Sequence, residues 1–194
     1  MKIFLDLDGV VVNFVGPAMA YNGAWVDESN FPDGCGWDVV KAVNIIRSEK
    51  GLPELDKRVF WNSFGYDFWR NLPLYPGAKA FVQALRAHGE VYFATSPTLS
   101  SSCVAAKFDH ICHEFPELKR KIIISADKSV LANGNSLLID DRDRNCEKFR
   151  EAGGEAILVP RPWNDKGYHP DPLGFTMSMF LSIEECLIAF KTRK

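Results

Sequence analysis

Two aspartates two residues apart, Asp6 and Asp8, are followed directly by a glycine, Gly9. Carboxylates this close repel each other unless a cation or a shared proton intervenes. Together they offer a nucleophile or metal ligand beside a proton donor. The same spacing also occurs in plain solvated turns, so the pair alone does not make a site. Further along stand Thr95-Ser96, Lys128 and Asp140-Asp141. Each has a bland reading too: a helix N-cap, a surface lysine, an acidic turn. Taken together, the clustered acids call for a hard divalent cation such as Mg²⁺, which takes oxygen ligands. The hydroxyls, the lysine and loop N–H groups suit a phosphoryl group beside it. The set reads as metal-assisted phosphoryl transfer.

That chemistry requires elements that bring distant residues to one place. Residues 2–5 are mostly apolar and β-prone, which predicts a buried parallel strand ending at the acidic pair. From Pro76 onward the pattern alternates. Helices are predicted over 77–88, 101–115 and 143–152, and strands over 91–94, 121–124, 137–139 and 156–159. In the 77–88 helix, Ala80, Phe81, Ala84 and Leu85 are expected inward, with Gly89 as the stop. A capping box, Ser182-Ile183-Glu184-Glu185, is expected to open the last helix, and residues 165–181 carry no assignment. Strands separated by helices mean β-α-β units and a parallel sheet. Such a sheet gathers its carboxyl ends along one edge, where ligands bind. All four polar groups fall at or just after those ends.

Residues 14–75 break the alternation. They read as a short helix over 14–21, a loop over 22–36 and helices over 37–50 and 55–64, with no convincing strand. The expected plan is therefore an α/β core of residues 1–13 and 76–194, with a helical cap of residues 14–75 inserted after the first strand. An insertion there stands over the strand ends as a lid does.

Composition narrows the classes. With 194 residues, 46% of them apolar, the chain suffices for one sizeable core. A net charge of −2, from 23 basic and 25 acidic residues, gives no global basic field, so no stable nucleic-acid partner is expected. Five cysteines (Cys35, Cys103, Cys112, Cys146 and Cys186) form no C-x-x-C pair, which points to reduced, mostly buried thiols. With neither an apolar leader nor an apolar run approaching the ~18 residues of a membrane span, the expectation is a soluble, cytoplasmic protein. Monomer and dimer both stay open.

Asp6-Leu7-Asp8-Gly9-Val10, Thr95-Ser96, Lys128 and Asp140-Asp141 resemble, in order, the four motifs of the haloacid dehalogenase (HAD) superfamily of phosphatases. The flanking residues are most similar to the 5′(3′)-deoxyribonucleotidase family: Phe14, Leu72-Pro73-Leu74-Tyr75-Pro76-Gly77-Ala78, Pro97, Ala126-Asp127-Lys128-Ser129 and Leu137-Leu138-Ile139 with Arg142. Arg161-Pro162-Trp163-Asn164 is similar to bacterial members. The resemblance spans roughly residues 3 to 164 and departs most over 22–36 and Gly65-Tyr66-Asp67. It implies a HAD-like, Rossmann-type parallel sheet flanked by helices. It further implies an Mg²⁺-dependent phosphomonoesterase that acts on (deoxy)nucleoside monophosphates through an aspartyl-phosphate on Asp6.

By the same resemblance, Asp8 serves as the acid and then the base, and Thr95, Ser96 and Lys128 hold the phosphate. Mg²⁺ is held by Asp6, the Asp8 backbone carbonyl and Asp141, with Asp140 either a ligand or a neighbour of one. Phe14 and Trp61 match the base-contacting aromatics, and Trp37 does so less closely. These rings could equally form the small core of the cap. Lys107 offers a second positive group, although a solvated helix face is its expected place. Alternatives are a phosphatase for another small ester or a nucleic-acid 3′-phosphate, and a non-catalytic nucleotide or phosphate binder. A dehalogenase has no use for Asp8 or for Asp140-Asp141.

Overall fold

A computed structural model describes residues 1–191, with side chains through residue 185. Five strands form one parallel sheet: β1 (Lys2–Leu5), β2 (Glu90–Thr95), β3 (Ile122–Ile124), β4 (Ser136–Asp140) and β5 (Glu155–Leu158). The order is β3-β2-β1-β4-β5, so β1 is central and the chain reverses direction across the sheet between β1 and β4. Ligands bind beyond the carboxyl ends at such a switch point. Leu5 pairs with Phe93 on one side and Ile139 on the other, so the strand ends carrying Asp6, Thr95 and Asp140 lie side by side. Ile3, Leu5, Phe93, Leu137 and Ile139 are fully buried, as expected for strands covered on both faces.

The helices of the core are α5 (Ala78–His88), α6 (Ser101–Glu114), α7 (Asp143–Glu151) and α8 (Pro172–Lys191). On α5 the buried face is Ala78, Phe81, Val82 and Leu85, while Ala80 is exposed. The i, i+3, i+4, i+7 stripe decides this, and alanine, at home inside or out, gives no signal of its own. The last helix begins ten residues before the expected capping box. Asp171 accepts from the N–H of Gly174 at 3.0 Å, and Pro172 opens the helix. Ser182 lies inside it, donating to the Ser178 carbonyl at 3.1 Å.

Residues 15–70 hold only helices: α1 (Val15–Tyr21), α2 (Val39–Glu49), α3 (Lys57–Asn62) and α4 (Tyr66–Arg70), plus a 3₁₀ turn at Glu28–Asn30. Asp38 caps α2 and Asp56 caps α3. The two chain crossings between this region and the sheet are laced together. Asn13 N donates to Pro73 O and Tyr75 N to Val11 O, each at 2.9 Å, around a Val12–Leu74 bridge. Helix α4 docks on α6 through Tyr66 to Asp109 (2.7 Å) and His110 Nδ1 to the Arg70 carbonyl (2.9 Å).

Cys35, Cys103 and Cys146 are buried and Cys112 half-buried, all as free thiols; the side chain of Cys186 lies outside the described residues. No described helix is long and apolar enough to cross a membrane.

Moving the start of α8 to Asp171 has a measurable consequence. Asp171→Ala should cost about 1 kcal/mol in urea unfolding, whereas Ser182→Ala should change stability by less than about 0.5 kcal/mol. The reverse ranking would return the helix start to Ser182.

Candidate active site

The turn after β1 creates the first half of the site. Val11 and Val12 N–H groups both donate to the Leu7 carbonyl, folding residues 7–12 back on themselves. Gly9 sits at φ +71°, and a Cβ there would stand 2.0 Å from Asp141 Oδ2. Only glycine combines that backbone region with that approach.

Asp6, Asp140 and Asp141 form a buried cluster in which one carboxylate oxygen from each lies within 4.8 Å of the others. Lys128 opens the 3₁₀ turn after β3, where Asp127 accepts from Ser129 N at 3.0 Å. Its ammonium bonds Asp6 Oδ1 at 2.8 Å and Asp140 Oδ2 at 2.6 Å. Asp140 has further donors in Arg142 N at 2.9 Å and Asn145 Nδ2 at 3.0 Å to both oxygens. Asp141 is different. Its Oδ2 accepts from Trp163 Nε1 at 2.7 Å, while its Oδ1 is buried without a partner.

Three carboxylates and one ammonium leave an excess of negative charge. Burial, with the Asp140 and Asp8 charges, pushes Asp6 up to about 6 against the pull of Lys128. Burial and the Asp140 charge raise Asp141 well above the carboxylate range. Burial works against the Lys128 ammonium, yet the Asp140 and Asp6 carboxylates hold it above its ordinary value. An oxygen-only donor set with surplus charge and an unpartnered buried oxygen fits a hard divalent cation.

Asp8 faces the other way. Its Oδ2 pairs with the Lys107 ammonium, and its Oδ1 is buried without a partner. Lys107 is itself buried, donating also to Thr95 Oγ1 at 3.2 Å and the Ser96 carbonyl at 2.8 Å, with its charge over the Trp69 ring. A solvated face is therefore not its place. It shares the inner face of α6 with Cys103, Ala106, His110 and Ile111, and a lysine inside such a stripe is the signal that reveals it. The Ser96 hydroxyl donates to the Ser125 carbonyl at 2.8 Å.

A cleft of about 1000 Å³ opens from Asp8, Ser96 and Lys107 to a wall carrying Phe14, Trp37 and Trp61. The three rings differ. Phe14 is only 2% exposed and stacks on both Trp61 (5.8 Å, 7°) and Trp69 (5.0 Å, 6°). Trp61 is half-buried. Trp37 lies under the Arg142 guanidinium at 4.9 Å and meets Trp163 edge-on at 5.9 Å, which ties it to the residues around Asp141.

The segment after β5 supports both acidic turns. Buried Arg161 donates to the Gly9 carbonyl at 2.6 Å and the Val10 carbonyl at 3.3 Å, stacks on Tyr75 and reaches Glu28 Oε2 at 3.3 Å. Tyr75 donates to the other oxygen of Glu28. Asn164 donates to the Asp141 and Val159 carbonyls at 2.8 and 2.7 Å. A run of turn-forming and charged residues after a strand carries no mark of this role, so motif similarity alone singled it out.

A profile for the family described as 5′ nucleotidase, deoxy (pyrimidine), cytosolic type C protein matches residues 1–169. A candidate 5′(3′)-deoxyribonucleotidase of Staphylococcus aureus is 25% identical over 148 residues, 76% of this chain and 77% of that protein. Among solved structures, a haloacid dehalogenase-like family hydrolase of Xanthomonas campestris superposes with a TM-score of 0.57 at 15% identity, over 93% of this chain and 91% of that one. A HAD hydrolase of Bacillus subtilis bound to magnesium gives 0.55 at 14% identity, over 88% and 90%. These likenesses bear out the expected fold: a HAD-like parallel sheet flanked by helices.

The buried acids make a prediction about pH. With Asp6 at about 6 in the folded chain against an ordinary 3.8, the fold holds the extra proton between those values. This group's contribution therefore weakens the metal-free fold as pH rises from 4 to 7, by up to about 3 kcal/mol. In chelator, Asp6→Asn should gain stability relative to the parent over that range, and added Mg²⁺ should narrow the gap. Denaturant melts giving a pH-independent difference would count against the buried, repelled carboxylate.

Proposed function

The chain belongs to the 5′ nucleotidase, deoxy (pyrimidine), cytosolic type C protein family and is a HAD-like phosphatase, and from that premise we propose that it is an Mg²⁺-dependent phosphomonoesterase acting on (deoxy)nucleoside monophosphates. One observation carries the nucleotide reading. The same cleft has acidic and basic groups at its floor (Asp8, Ser96, Lys107) and aromatic rings on its wall (Trp37, Trp61). A phosphate at the floor would leave its nucleoside against the rings, and a nucleobase stacks on any aromatic face. Residues 14–75 act as the cap that supplies this wall.

Asp6 attacks phosphorus, the ester P–O bond breaks, and the leaving alkoxide takes a proton from Asp8. Asp8 lines the floor of the same cleft, next to Ser96 and Lys107. Asp8 then removes a proton from water, which attacks the aspartyl-phosphate, releases inorganic phosphate and restores Asp6. Lys107 and Ser96 line the floor where non-bridging oxygens would sit. Thr95 and Lys128 act from behind, by holding Lys107 and Asp6. A bound Mg²⁺ would offset charge on the phosphoryl oxygens. Asp6, the Asp8 carbonyl and Asp141 would hold it. Asp140, whose oxygens are both occupied by Lys128, Arg142 N and Asn145, acts as their positioning partner.

Phosphate release from a panel of nucleoside monophosphates should require Mg²⁺ and fall more than about 10³-fold in Asp6→Asn. Trp61→Ala should raise KM for a nucleotide about 5- to 100-fold, as expected for loss of one stacked base, with a much smaller change for p-nitrophenyl phosphate. Equal changes for both substrates would reduce the ring to a packing role. A small sugar phosphate outperforming every nucleotide would favour another ester as substrate.

A further inference from the structure

The carboxylates of the acid cluster are restrained to different degrees. Asp6 Oδ1 already accepts from Lys128 and from Leu7 N, each at 2.8 Å. Asp140 has donors on both oxygens. Asp141 Oδ2 is held by the Trp163 indole N–H at 2.7 Å, with Gly9 packed against the same oxygen. Asp141 Oδ1, by contrast, is buried and unpartnered, and its carboxylate belongs to the cluster. Trp163 is 2% exposed, and its ring is wedged edge-on against Phe31 (5.7 Å) and Trp37 (5.9 Å). Indole N–H donates only, so Trp163 cannot turn into a ligand itself.

We propose that Trp163 is a positioning residue that sets cation selectivity: by occupying Oδ2 of Asp141 it leaves one oxygen for the cation and disfavours Ca²⁺ relative to Mg²⁺. The chemistry follows from coordination habits. Mg²⁺ takes six oxygens in near-octahedral geometry, one per carboxylate. Ca²⁺ takes six to eight and gains from bidentate carboxylates. A carboxylate whose second oxygen is tied to a rigid donor can serve the first ion fully and the second only in part. The inference rests on the metal reading proposed above.

Calorimetric titration of the metal-free protein with Mg²⁺ and with Ca²⁺ tests it. In Trp163→Phe the affinity for Ca²⁺ relative to Mg²⁺ should rise by about tenfold. Phe31→Leu, which loosens the same ring without touching the hydrogen bond, should leave the ratio unchanged. An unchanged ratio in Trp163→Phe, or an equal shift in Phe31→Leu, would overturn the role of Trp163 and leave the metal reading intact. Absence of binding of either cation to the parent protein would instead overturn the metal reading itself. Should Trp163→Phe fail to fold, the indole N–H signals of the parent decide. With Mg²⁺ bound, the Trp163 N–H, assigned by elimination from the other four tryptophans, should exchange slowly. Rapid exchange would show that the indole releases Asp141 and would overturn the inference.

Discussion

One ammonium group holds the two central strands of the site together. Lys128 reaches Asp6 at the end of β1 and Asp140 at the end of β4, and all three groups are withdrawn from water. Removing charges from solvent is costly, and a pair repays that cost only when its geometry and remaining hydrogen bonds are good. Here the remaining bonds are present: Leu7 N on Asp6, and Arg142 N and Asn145 on Asp140. Asp141 is outside this arrangement, so among the described residues the cluster holds more carboxylates than cations. The fold tolerates an unbalanced charge at the point where a bound cation would offset it.

A second pair, Asp8 with Lys107, repeats the theme on the cleft side. It joins the β1 turn to α6, and α6 in turn carries α4 through Tyr66–Asp109 and His110. Burial lowers the affinity of His110 for a proton at this docking surface. The helical region and the reactive turn are thus registered against each other by one helix of the core.

The alternating part of the chain was legible because its physics is local. Apolar runs bounded by turn residues marked β1 to β5, and a parallel sheet then forced Asp6, Thr95 and Asp140 onto one edge. The start of α8 was missed because Ser-x-x-Glu looks the same at a helix start and inside a helix, while the Asp171-Pro172 signal lay in a stretch without clear periodicity. Lys107 was misplaced because a lysine on a helix is usually solvated, and only the acid it meets, 99 residues away, justifies its burial. The tie of Trp163 to Asp141 had no signal at all: a tryptophan in a loop does not advertise its hydrogen-bond acceptor. Of the two neighbouring aspartates, only three-dimensional partners separate the fully bonded Asp140 from the half-bonded Asp141.

The bond from Arg161 to the Gly9 carbonyl spans 152 residues of chain. The reactive turn follows β1, whereas its guanidinium brace follows β5, after the rest of the sheet has been laid out along the chain. Contacts so distant in sequence form late, after loop closure has been achieved elsewhere. The turn that carries Asp6 and Asp8 is therefore among the last parts of this fold to be fixed, because its brace waits on the placement of β5 beside β4.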